Sequence, residues 1–190
     1  MIFILGNGPS LNTQRELMPM VGQYDTFCCN RMVQWDGLCF VPTYYACNYN
    51  IVRLGIEPIN PPYKQAKFII SLNGETLLGW SPFTKDPNAP LLMHGEPLSS
   101  GGTMPYLMAQ IAVRLGYREL YFLGIEQGGE GYCFGLKDKP YRRRNYEKLF
   151  ARWKELKDFC ESDGVHLTDC TPDGQLNKIL GYIPLEKVLA

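Results

Sequence analysis

Residues 1–11 read Met-Ile-Phe-Ile-Leu-Gly-Asn-Gly-Pro-Ser-Leu, and no other stretch restricts the fold as tightly. Ile2, Phe3, Ile4 and Leu5 are consecutive apolar residues with no polar alternation. A strand wetted on one face alternates, so an unbroken apolar run ended by glycine belongs in a parallel sheet covered on both faces. The turn Gly6-Asn7-Gly8-Pro9-Ser10 then supplies two glycines that can take positive φ or admit a ligand to the backbone. It also holds a proline of fixed φ and a serine able to cap a helical turn. A strand-to-helix turn of this kind aims unpaired N–H groups and a helix dipole at whatever lies above the strand end, commonly a phosphate. Leu11 stands where the dinucleotide fingerprint G-x-G-x-x-G needs its third glycine, which disfavours a nicotinamide or flavin site. A tight turn without a ligand is the competing reading.

A chain of 190 residues is long enough for one α/β domain, expected here to span residues 1–190, that buries roughly 70% of its unfolded surface. Nineteen basic and nineteen acidic side chains cancel, so neither nucleic acid nor a membrane surface is expected as a general partner. No apolar run reaches the ~18 residues of a membrane span and no signal-like leader is present, so the expected location is cytoplasmic. The seven cysteines form no C-x-x-C pair and only His94 and His166 could join them, so neither a disulfide framework nor a zinc cluster is expected. No D-x-D pair is present to hold a divalent ion on a sugar nucleotide, which leaves a bound phosphate to amides, hydroxyls, Lys or Arg.

Along the chain, strands are expected at 24–28, 43–47, 67–72, 120–124 and 165–168. Two of them hand over to an asparagine, Asn30 and Asn48, at a strand's carboxyl end. Ligands of open α/β sheets bind outside those ends, so Gly6 to Ser10, Asn30 and Asn48 are candidates for one rim. An amide offers donor and acceptor without charge, which suits ribose, base or sugar; a side-chain turn onto its own backbone is the alternative for each. Residues 73–95 are loop-like, with 91–93 as the strand candidate within them.

Ser99-Ser100-Gly101-Gly102 precedes a helix expected over 103–115, whose apolar residues fall at helical spacing and whose stop is Gly116. This turn is a second candidate anion site, with helix capping as the plainer role. A long amphipathic helix is expected over 141–163, opened by Arg142-Arg143-Arg144 against the dipole, and Pro184 opens a last short helix to Leu189. The class these elements define is α/β, with a mostly parallel sheet and helices on both faces.

In motif order the chain resembles the bacterial sialyltransferases of glycosyltransferase family 42. The matching residues are Ile-Leu-Gly-Asn-Gly-Pro-Ser-Leu at 4–11, Cys29-Asn30, Tyr45-Ala46-Cys47-Asn48, Ser99-Ser100-Gly101, the stretch 112–121, and Gly124-Ile125-Glu126. The resemblance implies a single-domain Rossmann-like sheet with a flexible lid, here 127–144. It implies a CMP-sugar donor held by Gly6, Asn7, Gly8, Pro9, Ser10, Asn30, Asn48, Ser99, Ser100 and Gly101, with a possible glycan acceptor and no catalytic metal or cofactor. The family displaces the nucleotide with inversion, and two lid tyrosines hold the leaving phosphate; Tyr132 resembles one and Tyr141 is the candidate for the other. A preorganised hydroxyl of this kind supplies several kcal/mol as charge develops.

The family's general base, a histidine, has no counterpart between Tyr132 and the last strand, which leaves Glu126 or Glu130 for the role. Two other functions remain open. A diphosphokinase of the archaeal hydroxymethylpterin type, which the same turn and the Gly-Ile-Glu segment also resemble, would need ATP, Mg²⁺ and acids at the rim. A nucleotide-binding protein without catalysis would keep the amides and lack the base.

Overall fold

The computed structural model describes residues 1–48, 67–71, 85–86, 98–99, 103–127, 131–135 and 146–190. Its centre is β1 (Ile2–Leu5), flanked by β2 (Thr26–Cys29) and β7 (Glu119–Leu123). Outward on one side lie β3 (Tyr44–Asn48) and β4 (Lys67–Ser71), and on the other β8 (His166–Asp169). The order is β4-β3-β2-β1-β7-β8 and every pairing is parallel, with Ile2 opposite Leu120 and Phe3 opposite Thr26. Two short strands, β5 (Lys85–Asp86) and β6 (Leu98–Ser99), pair separately. Strands begin and end within about two residues of the expected limits. The expected strand at 91–93 lies outside the described residues, as do the Arg142 cluster and the start of the long helix.

The apolar run of β1 is fully buried because the sheet is covered on both faces. Ile2, Ile4, Phe27, Ala46, Leu120 and Phe122 point to one side, where α2 (Met104–Arg114), α3 (Tyr146–Ser162) and α4 (Asn177–Leu180) pack. Trp153 of α3 is the keystone there, edge-on to Tyr106 at 5.2 Å and to Phe122 at 5.3 Å. Phe3, Leu5, Cys28, Tyr45 and Leu123 point to the other side, against Leu11, α1 (Met18–Val21), Trp35 and α5 (Leu185–Leu189). Alternating side chains thus feed two separate cores, which is why neither face is polar.

The chain runs outward from β1 to β4 and then returns to the far side of β1, so the strand order reverses between β1 and β7. The connection leaving β1 packs on one face and α3, leaving β7, on the other. Open α/β sheets bind ligands outside the carboxyl ends of the strands at such a reversal.

Candidate functional site at the carboxyl end of the sheet

Beyond the last strand residues, β1 and β7 remain stitched together. Gly6 N–H donates to the Leu123 carbonyl at 2.8 Å and Gly8 N–H to the Gly124 carbonyl at 2.9 Å. A methyl group on Gly6 would stand 2.3 Å from the Gly124 oxygen, and Gly124 itself has φ +64 with Leu11 against it. Only glycine permits this backbone-to-backbone approach.

The turn is not capped as the sequence reading expected. Gly8, not Ser10, is the residue before a 3-10 turn over Pro9–Asn12, and no side chain of the turn caps it. Ser10 lies inside the turn and its N–H donates to Glu126 Oε1 at 2.7 Å. The Glu126 carboxylate spreads over Gly8 so closely that a Cβ there would overlap it at 1.4 Å. The chain's own carboxylate therefore takes an amide that the turn would otherwise present to a phosphate, for the same electrostatic reason. Asn7 Oδ1 and Ser10 Oγ are buried beside it without a hydrogen-bond partner among the described residues.

A segment distant in sequence closes over this turn. Cys133 N–H donates to the Asn7 carbonyl at 3.0 Å, and Asn12 Nδ2 donates to the Cys133 carbonyl at 3.0 Å. Asn12 Oδ1 in turn accepts from Trp35 Nε1 at 2.9 Å. Tyr132 is thereby brought to the β1 turn, its ring stacked on Phe134 at 5.0 Å and 9°. Burial pushes the Cys133 thiol up to about 12, the Glu126 charge adds to the rise, and nearby backbone N–H groups oppose it. Cys133 is a buried packing residue of the core under this turn.

Asn30 follows β2 with φ 49, a left-handed conformation that asparagine tolerates, and its carbonyl accepts from the Tyr45 hydroxyl. Asn48 closes β3 at the same end of the parallel sheet, two strands from β1. Ser99 ends strand β6, where the sequence reading expected a loop. Ser100, Gly101, Tyr141 and Glu130 lie outside the described residues. Among the described residues no group of three or more His, Cys, Asp or Glu side chains comes together as a metal site would require.

Sequence reasoning passed over Asp169, at the carboxyl end of β8. Its side chain is fully buried, Oδ1 accepts from Thr171 N–H at 2.9 Å, and Oδ2 has no partner among the described residues. Burial pushes this carboxyl up to about 7 against the bonds from Thr171, with the Glu126 charge adding to the rise. The Thr171 hydroxyl also accepts from Ile125 N–H at 3.1 Å, so Asp169 and Thr171 brace the backbone that carries Glu126. An Asp-x-Thr turn at a strand end was the available signal.

The architecture is that of a Rossmann-like α/β protein. It is similar to the sialyltransferase CstII from Campylobacter jejuni, solved in complex with the substrate analogue cytidine-5'-monophosphate, at a TM-score of 0.56 and 18% identity over 96% of this chain and 84% of that one. It is equally similar to the sialyltransferase CST-II in complex with trisaccharide acceptor and CMP, at a TM-score of 0.55 and 18% identity over 96% of this chain and 86% of that one. No protein-family model and no curated protein sequence matches the chain.

Proposed function

We propose that this chain binds a CMP-sugar at the carboxyl-end rim and acts as a metal-independent, sialyltransferase-like glycosyltransferase. The observation that carries this reading is the convergence of Asn7, Glu126 and Tyr132, far apart in sequence, at the reversal between β1 and β7, in a fold shared with a CMP-bound sialyltransferase. Neutral amides at Asn7, Asn30 and Asn48 suit the hydroxyls and base edge of a nucleoside better than its phosphate. Because Glu126 already holds the Ser10 amide, the leaving phosphate falls to the Tyr132 hydroxyl and to Ser99, Ser100 and Gly101 before α2. Tyr132 donates to the phosphate oxygen as the sugar–phosphate bond breaks, and Tyr141 is the second donor. Glu126, fixed by Ser10 N–H, takes the proton from the acceptor hydroxyl as the new glycosidic bond forms.

The test is thermal stability with CMP, in the presence and absence of EDTA. CMP should raise the melting temperature equally in both, and Asn30→Gly, which keeps the backbone at φ 49 while removing the amide, should abolish the shift. Absence of any CMP effect at millimolar ligand overturns the proposal. Stabilisation by ATP that EDTA removes would transfer the site to diphosphokinase chemistry, and CMP binding without transfer or hydrolysis of a CMP-sugar would mark a binding protein.

A further inference from the structure

We infer that Asn12 is a positioning residue: its side-chain amide holds the segment bearing Tyr132 against the β1 turn and so fixes where the Tyr132 hydroxyl stands. The inference rests on the CMP site proposed above and deepens it. Both ends of the Asn12 amide are committed, Oδ1 to Trp35 Nε1 at 2.9 Å and Nδ2 to the Cys133 carbonyl at 3.0 Å. Trp35 is 2% exposed and packed in the core below the rim, so the indole is a rigid anchor from which the amide is aimed.

Cys133 has both of its backbone groups bound to the first turn of the chain, its N–H to Asn7 and its carbonyl to Asn12, across 121 residues in the second case. Tyr132 is the adjacent residue and Phe134, half-buried against the same core, stacks on its ring. The ring is therefore fixed from the backbone on one side and by packing on the other. Among the described residues Asn12 caps no helix, and its side-chain bonds reach only the Trp35 indole and the Tyr132 segment. Asparagine is the residue this junction needs, because it must accept from an indole and donate to a carbonyl at once. Aspartate would keep the first bond and set a negative charge against the Cys133 oxygen.

The experiment combines Asn12→Asp, Tyr132→Phe and the double variant, reading CMP affinity by calorimetry and exchange of the Cys133 amide by NMR. In Asn12→Asp the Cys133 amide should exchange at least about tenfold faster, and CMP affinity should fall about three- to tenfold, the range of one lost hydrogen bond. In the Tyr132→Phe background the same substitution should cost no further affinity, which a purely structural role would not produce. Trp35→Phe, which keeps the Asn12 bond to Cys133 but loosens its aim, should give a smaller loss of about twofold. Should Asn12→Asp fail to fold, Asn12→Ala is read by the same criteria. Unchanged Cys133 exchange, or losses that multiply in the double variant, overturns the inference. If CMP does not bind the unaltered protein, the proposed function falls, and the exchange comparison alone decides whether Asn12 pins the segment.

Discussion

At the amino end of the sheet Asp25 accepts from the Thr43 hydroxyl at 3.0 Å and from the Tyr117 hydroxyl at 2.7 Å, with Tyr44 3.4 Å from Tyr117. Thr26 and Thr43 exchange backbone-to-hydroxyl bonds, and Arg118 reaches both the carbonyl and the carboxylate of Asp163 at 2.9 Å. At the carboxyl end, by contrast, Asn7 Oδ1, Ser10 Oγ, Gln127 Oε1 and Asp169 Oδ2 are all buried without partners among the described residues. Leaving a buried polar atom unmatched costs about 1–3 kcal/mol. Four such atoms gathered at the carboxyl end coincide with the rim where the proposed ligand binds.

Four substitutions sharpen or break this contrast. The largest effect belongs to Asp169. Burial pushes its folded carboxyl up to about 7 from the ordinary carboxylate value near 4, so its stabilising effect is complete below about 4 and is lost as pH rises from there through about 7. At ~1.4 kcal/mol per unit the loss between acid and pH 8 is on the order of 4 kcal/mol. Melting temperatures from pH 5 to pH 8 should therefore fall with the part of that loss above pH 5, ~3 kcal/mol, and Asp169→Asn should flatten the curve. Next is Gly6→Ala, which forces a methyl to 2.3 Å from a backbone oxygen and should cost about 3 kcal/mol in urea unfolding.

Asn7→Ala follows. It should weaken CMP binding at least about tenfold, or ~1.4 kcal/mol, while the melting temperature holds or rises, because an unmatched buried oxygen is removed. Tyr117→Phe should do the reverse, losing ~1 kcal/mol of stability with CMP affinity intact, because its bonds to Asp25 and Tyr44 serve only the amino end. If Tyr117→Phe weakened CMP, or Asn7→Ala unfolded the chain, the division of labour between the two ends would be wrong.

The layers were legible because the central strands are covered on both sides, so Ile2 to Leu5 and the run before Gly124 carry unbroken apolar residues. The helix over 104–114 was legible for the matching reason, its apolar residues at helical spacing and its stop at Gly116, with φ +92. The rim was legible only as far as single strands reveal it. Asn30 follows a strand end, but that Glu126 would cap Ser10, 116 residues earlier, depends on β7 returning to the side of β1. Local pattern carries no information about that return, and Asn12, Trp35 and Cys133 were invisible for the same reason. Asp169 looked like a turn residue because burial of its carboxyl is a property of the assembled core.

The seam between Ile2–Leu5 and Leu120–Leu123 also governs how the polypeptide can assemble during synthesis. Of the strands in this sheet the innermost is made before the others, yet one of its edges stays bare until more than a hundred further residues have left the ribosome. Until then four parallel strands with an open, wholly apolar border must avoid pairing with other nascent chains. Closure of that gap is a long-range event and so a slow one. A helper that shields the early half, or slower growth at low temperature, should raise the soluble yield of this protein more than any improvement of its surface.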